Sequence, residues 1–395
     1  MSHQQVKIIL KKGKEESLRR FHPWVFSGAI AKITGDADDG CIVEVFSASN
    51  EFIASGHYQH GSISVRVLSF EKRPIDQDFW NNRIFKAFSV RKKLGLAQRP
   101  GLDVYRLIHG EGDGLPGLIV DYYNGTAVIQ THSIGMHKEL NKIVSGLREV
   151  LGEDLVAIYN KSTSSLPSRY SELSSDGYLW GKPVTRLVTE NGCQFRVDWE
   201  QGQKTGFFID QRESRQLLLR YSANRTVLNL FGYTGGFSVY AARGGAGKVI
   251  TVDSSKPAIE LANENMRING YESLSQTIVS DVFDFFASNH STAGIVVLDP
   301  PAFAKHTQAL KVALQGYKKL NVAGFRMVEP GGLLFTFSCS QVVSRSDFRK
   351  TVFTAAAIAK RNVRIIHQLS QPADHPVNIY HPEGEYLKGL VLYVE

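Results

Sequence analysis

The amino-acid sequence predicts an α/β chain whose carboxyl-terminal half is a doubly wound, Rossmann-like domain, preceded by a small β-barrel and a central mixed α+β unit. Three observations carry that reading. After Tyr221 continuous apolar strands alternate with amphipathic helices, the signature of a parallel sheet covered on both faces. The first seventy residues show short runs of β-branched and aromatic residues between turn residues, which suits a small barrel. Between these regions, Asn124-Gly125 and Asn191-Gly192 each separate two apolar runs and mark hairpins, because both turn positions favour positive φ.

In chain order, "GCIVEVFS", "EFIASGHYQ" and "ISVRVLSF" are the barrel strands, with period-two alternation clearest at Ile63, Val65 and Val67. The barrel is placed at residues 1–72. "DQDFWNNRIFKAFSVRKKLGL" then spaces Phe79, Trp80, Ile84, Ala87 and Phe88 as a helical stripe that Gly95 stops. Strands resume at Val104, a helix is expected over residues 136–151, and "DLVAIYN" is a further strand before a Ser-rich loop. These elements form the central unit, residues 73–195. The last domain, 196–395, contains the strands "TVLNLF", "KVITVD", "QTIVS", "GIVVLDP", "GGLLFTFS", "VRIIHQL" and "YLKGLVLYV", with "PAIELANENMRING" among its helices.

Bulk properties narrow the function classes. A chain of 395 residues with 43% hydrophobic content suits two or three globular domains. Neither a signal peptide nor an apolar run of membrane length is seen, so a cytoplasmic protein without a membrane partner is expected. Three scattered cysteines, Cys41, Cys193 and Cys339, contain no C-x-x-C pair; reduced thiols are expected, without disulfides and without a metal site. The net charge of +8 fits a polyanionic partner or a merely solvated basic face, and residues 1–100 hold 16 Lys and Arg against 10 Asp and Glu.

Ligands of open α/β sheets bind at the carboxyl ends of the strands. The first such end, "NLFGYTGG", places Phe231, Gly232, Tyr233, Gly235 and Gly236 between a strand and a helix, where glycine permits close backbone approach. About twenty residues on, Asp253 ends the next strand and suits the two hydroxyls of a ribose. Asp281 ends the third; it suits an adenine amino group with Val282 or Phe283 on the ring, and it equally suits a helix N-cap. Gly, Asp and Asp in series indicate an adenosine-bearing cofactor, and both a dinucleotide and an adenosyl donor satisfy the spacing.

The fourth strand end, "LDPPAF", separates the two. Pro300 and Pro301 stiffen the loop after Asp299 and remove backbone donors, fixing where the carboxylate points. Here the sequence resembles the class I S-adenosylmethionine methyltransferases, in which an Asp/Asn-Pro-Pro element carries the target base beside the methyl donor. Cys339 in "FTFSCSQ" follows the fifth strand, on the same sheet edge. Cytosine C5 is a poor nucleophile, and a thiolate adding to C6 activates it. That chemistry asks for an unusually available thiolate, for which Ser338 and Ser340 are candidate stabilisers, and for Asp299 to hold or protonate N3. Otherwise Cys339 is a small buried hydrophobe.

Taken together, "RRFHPWVFSGAI", "GEGDGLPGLIVDYY", "GQKTGFFIDQRESR", "NLFGYTGGFSV", "LDPPAF", "FSCS" and "ADHPVNIYHPEGEYLKG" resemble the bacterial large-subunit ribosomal RNA methyltransferase I family over nearly the whole chain. The resemblance implies an N-terminal PUA domain, a class I methyltransferase domain, S-adenosyl-L-methionine as cofactor, 23S rRNA or an assembling large-subunit particle as partner, and 5-methylcytosine as product; a homodimer is left open. By position it puts the nucleophile on Cys339 and the base-contacting carboxylate on Asp299. Cofactor contacts fall on the glycine turn, Asp253 and Asp281, together with Lys204, Thr205, Phe208, Gln211 and Arg212. Gln211 and Arg212 begin a helix within reach of a methionine carboxylate. Pro300, Pro301 and Phe303 face the base, and Arg19, Arg20, His22, Trp24 and Arg66 supply RNA contacts, although Val25 and Phe26 beside Trp24 argue for a core role there. Another branch of RNA cytosine methyltransferases has a cysteine after the two prolines; this chain has Ala302, so adduct release falls to water or Asp299. The competing functions are an N-methyltransferase that uses "DPPAF" without a thiol and a non-catalytic RNA-binding assembly factor.

Overall fold

The computed structural model describes residues 6–304 and 306–395. The chain divides into two compact units, the first comprising 1–188, 197–207 and 373–384, and the second 189–196, 208–372 and 385–395.

The first unit holds two sheets with separate cores. One has six strands in the order Trp24–Phe26, Ile63–Ser69, Phe52–Tyr58, Ile42–Phe46, Val6–Leu10, Ile30–Thr34, antiparallel except where Val6–Leu10 meets Ile42–Phe46. Its core contains Ile8, Leu10, Val43, Val45, Val65 and Val67, so the predicted alternation is the buried face. The other sheet orders five strands as Gly177–Gly181, Ala157–Asn160, Thr126–Thr131, Leu118–Tyr123, Val104–His109. Helix Gln77–Lys93 buries the whole predicted stripe, and Asp76 caps it by accepting the amide hydrogen of Phe79. Both hairpin dipeptides adopt positive φ, 41° and 90° at Asn124-Gly125 and 50° and 79° at Asn191-Gly192. The single helix expected over 136–151 is two, Ile134–Lys138 and Leu140–Leu151, divided at Glu139; within the Ser-rich segment lie a 3-10 turn and the strand Gly177–Gly181.

The second unit is a seven-stranded sheet. In chain order its strands are β1 (Thr226–Leu230), β2 (Lys248–Asp253), β3 (Ser275–Val279), β4 (Ala293–Leu298), β5 (Val328–Ser338), β6 (Val363–Leu369) and β7 (Lys388–Val394), arranged β3-β2-β1-β4-β5-β7-β6. The first five pair in parallel, whereas β7 runs antiparallel to both neighbours. The alternation rule read β7 as one more parallel strand. No helix of crossover length separates it from β6, and without a crossover the chain returns antiparallel. Helices α1 (Arg212–Tyr221), α2 (Gly236–Arg243), α3 (Lys256–Ile268), α4 (Val282–Ser288), α5 (Leu310–Met327) and α6 (Arg345–Ile358) belong to the same unit. Their packing uses a core that includes Leu228, Val296, Leu298, Tyr317, Phe325 and Leu334, each worth roughly 1.5–3 kcal/mol of burial. The strand order reverses between β1 and β4, so the ends of β1, β2, β4 and β5 converge on one edge.

Candidate active site

That edge collects Phe231, Asp253, Asp299 and Cys339, one after each strand. The β1 turn is strained: Phe231 and Tyr233 have φ of 59° and 44°, and Gly235 has 79°. Positive φ at two aromatic residues costs on the order of 1–3 kcal/mol each and persists only where the surroundings impose it. The imposition is visible. Asp253 accepts the Tyr233 amide at 2.9 Å, and beneath the turn Asn229 donates to Ser238, which shares a 2.7 Å bond with Thr251. Gly232 allows no side chain, because a Cβ would stand 2.4 Å from Thr251 Cγ2.

The second carboxylate oxygen of Asp253 accepts from Ser255 at 2.9 Å, which orients the group at the β2 end. Asp281 is the N-cap of α4, its Oδ1 accepting from Phe283 and Asp284, and the residue is exposed. Val282 is 2% exposed and packs in the core, so Phe283, 43% exposed, is the residue offered to a ring; the expectation for Val282 is corrected.

The stretch before α1 divides between the units. Lys204 is exposed in the first unit, and the Thr205 hydroxyl is buried there between Asp121 at 2.6 Å and Tyr123 at 2.9 Å, which removes it from the cofactor set. Phe208 in the second unit sets its ring 5.2 Å from that of Tyr233, edge on. Gln211 has a different role from the one expected: its amide donates to Asp299 Oδ1 at 3.0 Å, while its own Oε1 is buried without a hydrogen-bond partner. Arg212 begins α1 as expected and is 1% exposed. The buried cation that sets the turn's backing is Arg215, unflagged in the sequence, which grips Glu190 through two bonds of 2.8 and 2.7 Å.

The central observation is the meeting of β4 and β5. Cys339 Sγ lies 3.8 Å from the Pro300 carbonyl, although 39 positions separate them in the chain. Both Asp299 and Cys339 are half-buried, reachable from the edge. Pro301 and Ala302 are exposed beside them, while Phe303 leans on Tyr317 with ring centroids 4.6 Å apart. The serines flanking Cys339 are turned inward: Ser340 is shared with Tyr317 at 3.0 Å and Ser338 is fully buried. Anion stabilisation by these hydroxyls is therefore corrected.

Electrostatics at this edge run against an idle thiolate. Burial, then Asp299 and Asp210, push the Cys339 thiol up to about 12, with the Lys388 ammonium acting in the opposite direction. Burial and then Asp210 push Asp299 up to about 7, against the Gln211 hydrogen bond. Lys388 is 4% exposed, pairs with Ser338 across β5 and β7, and donates to the Ser340 carbonyl at 2.6 Å; burial pulls it down to about 8. Asp210, held by the Tyr386 hydroxyl at 2.8 Å, and Lys388 were both missed from sequence. Their sole signals were a carboxylate beside Gln211 and a lysine interrupting an apolar strand.

Of the proposed RNA contacts in the first unit, Arg20 is exposed and Arg19 is tied to Glu51. Arg66 is half-buried, its Nη1 enclosed without a partner, which does not suit an outward phosphate contact. Trp24 is not core: it is half-buried, donates from Nε1 to Glu111 at 2.9 Å, and stands among the rings of His22, Phe26 and His381. No helix among the described residues is long and apolar enough to cross a membrane.

Comparison with known proteins adds the following. The model of an S-adenosylmethionine-dependent methyltransferase family matches residues 105–382, and that of a PUA-like domain matches residues 8–70. Proteins of Alteromonas mediterranea and Vibrio cholerae, each named ribosomal RNA large subunit methyltransferase I, are 40% and 39% identical over 98% of this chain and 98% and 99% of their own. A Streptococcus mutans protein described as a SAM-dependent methyltransferase superposes with a TM-score of 0.84 at 25% identity, covering 98% of this chain and all of its own. A structure solved with SAH has a TM-score of 0.85 at the same identity and coverage.

Proposed function

Because the chain belongs to the S-adenosylmethionine-dependent methyltransferases of the ribosomal RNA large subunit methyltransferase I family, we propose that it makes 5-methylcytosine in 23S rRNA through a covalent adduct of Cys339 at cytosine C6. The contact of Cys339 Sγ with the Asp299-Pro300 segment is the observation that carries this reading. A thiol and a carboxylate at one strand edge are what C5 activation requires.

The residues present fit the cofactor. Gly232, where a Cβ would stand 2.4 Å from Thr251, and Gly235, at a φ of 79°, keep the turn to bare backbone, and Asp253 offers an oriented carboxylate for ribose hydroxyls. Phe231, Tyr233, Asp253, Asp281, Phe283, Phe208 and Arg212 form the set that would hold it. When bound, S-adenosyl-L-methionine supplies an electrophilic methyl group on a sulfonium.

The chain's own residues handle protons and the nucleophile. With its value near 7, Asp299 exists in both protonation states at neutral pH. Its carboxylate accepts the Cys339 proton as sulfur bonds to C6, and its carboxylic acid then donates to N3. The C5–C6 π pair shifts to C4–C5 and the C4–N3 π pair moves to N3, where it takes the proton, so C5 becomes nucleophilic. Once C5 is methylated, water or the Asp299 carboxylate takes the C5 proton, the C5–H pair re-forms the C5–C6 double bond as the C6–S bond breaks, and the released thiolate takes back the proton that N3 gives up. Gln211 holds Asp299 for this role, and Pro300 and Pro301 leave no backbone donor to compete.

A second reading has one observation in its favour. A thiol pushed up to about 12 is nearly all protonated, which suits an N-methyltransferase that never uses it. One assay separates the two: labelled S-adenosyl-L-methionine is incubated with rRNA and either the native chain or Cys339→Ala. The covalent reading expects methyl transfer to vanish in the variant, and full transfer by it would overturn that reading. Free 23S rRNA and large-subunit assembly particles, tested side by side, identify the substrate form.

A further inference from the structure

The first unit carries a cluster of donor side chains that no part of the methyl-transfer site uses: His22, His381 and Glu383. His22 Nε2 lies 3.5 Å from one oxygen of Glu383 and His381 Nε2 lies 3.8 Å from the other, and one donor atom of each residue lies within 4.8 Å of the other two. His381 is 3% exposed, and both its ring nitrogens are enclosed without a hydrogen-bond partner. A buried imidazole with neither nitrogen satisfied costs on the order of 1–3 kcal/mol and points to a bound ion or water.

The surroundings favour an ion. His22 Nδ1 is 3.3 Å from both the carbonyl and the amide of Trp24. The tautomer that donates from Nδ1 to that carbonyl turns the Nε2 lone pair toward Glu383, the outer-shell arrangement metal-bound histidines use. Both histidines precede a proline, and Pro382 opens the 3-10 turn Pro382–Gly384 that carries Glu383, so the donors sit on stiff backbone. Two imidazoles and one carboxylate select zinc or another late divalent transition metal over calcium or magnesium, which take oxygen ligands. Nitrogen and oxygen ligands at about 2.0–2.1 Å from tetrahedral zinc stand roughly 3.3 Å apart, so the present separations, between 3.5 Å and the 4.8 Å bound, close by about 0.2–1.5 Å on binding. Glu383, its side chain 49% exposed, has room to move. The expectation of no metal site rests on the three scattered cysteines, and these donors, none of them cysteine, come from positions far apart in the chain.

We propose that His22, His381 and Glu383 bind one divalent transition metal ion, zinc by preference, which clamps the 373–384 segment to the amino-terminal sheet of the first unit. With three protein donors the fourth tetrahedral position falls to water, and His22 is then a ligand and not an RNA contact. The test uses the full-length untagged chain, stripped with a chelator and titrated with zinc chloride by calorimetry and with cobalt chloride by visible absorption.

One equivalent is expected, at a dissociation constant of about 10 μM or tighter, with tetrahedral cobalt bands and no thiolate charge-transfer band. Glu383→Gln, a near-isosteric change at an exposed side chain, is expected to weaken binding about 10–100-fold, and His381→Ala at least as much. Zinc should raise the melting temperature of the native chain and not that of either variant. Binding weaker than this, binding with a thiolate band, or unchanged affinity in Glu383→Gln overturns the proposal.

Discussion

Replacing Asp299 with Asn tests the coupling at the centre of the site, because thiol reactivity and methyl transfer should move in opposite directions. In the native chain the Cys339 thiol stands at about 12, so at pH 8 only on the order of one in ten thousand is ionised, against about a quarter for a free cysteine near 8.5. Ionisation alone would slow alkylation some 2,000-fold. A more basic thiolate is intrinsically more nucleophilic, with a Brønsted slope of about 0.4–0.5, and this leaves Cys339 roughly 50–100-fold slower than a free thiol. Burial is the largest cause of the raised value and Asp299 the second, so removing that charge should lift the thiolate population about tenfold. After the same Brønsted correction, iodoacetamide at pH 8 should alkylate Cys339 about threefold faster in Asp299→Asn, read by mass spectrometry of its peptide so that Cys41 and Cys193 are scored apart. Methyl transfer, deprived of the acid at N3, should fall about 10²–10⁴-fold. Unchanged or slower alkylation would refute the electrostatic coupling, and retained methyl transfer would refute the proton role.

The other predictions rest on single contacts. Asp299 is raised from 3.8 to about 7, so the stability it contributes is complete below about pH 4 and is lost as pH rises through 7; Asp299→Asn should therefore be more stable than the native chain by about 2–4 kcal/mol at pH 8 and equal to it at pH 4, by urea melts. Lys388→Met removes a cation that draws the Cys339 thiol down, so alkylation should slow severalfold at pH 8, with Lys388→Arg restoring most of the rate. Gln211→Leu deletes the bond that favours ionised Asp299, the form that accepts the Cys339 proton, so the acid limb of the methyl-transfer pH profile should move to higher pH. Gly232→Ala forces a Cβ to 2.4 Å from Thr251 and should cost about 1–3 kcal/mol together with most S-adenosyl-L-methionine affinity, measured by calorimetry.

How far the sequence foretold this depends on the range of the interaction. Elements set by local chemistry were legible. The Phe79 to Phe88 stripe, the two Asn-Gly turns and the residue following each parallel strand need only neighbours in the chain to declare themselves. Residues whose meaning comes from distant partners were misread or missed. Thr205 looked like a cofactor contact until Asp121 and Tyr123 enclosed it, and Gln211 looked like a carboxylate binder until Asp299 occupied its amide. Lys388 passed unremarked within the strand "YLKGLVLYV", because nothing local shows that Ser338 is its partner across the sheet. The antiparallel turn of β7 failed for the same reason: strand direction is a property of pairing, and periodicity does not encode it.

Several costs of different kinds meet at the edge where β1, β4 and β5 end, and that meeting is the argument for function. Positive φ at Phe231 and Tyr233, a carboxyl held near neutrality, a thiol held at about 12, and a Gln211 oxygen enclosed without a partner each weaken the fold. A sequence selected for stability alone would relax them one at a time, since Asn at 299 or Ala at 339 would fit the same space. They coexist where two ligands would relieve several of them: a base offering N3 to Asp299, and a sulfonium cation opposing the carboxylates that hold the thiol protonated. Strain gathered where a positive donor and a planar base would meet is what pre-organisation for this chemistry requires.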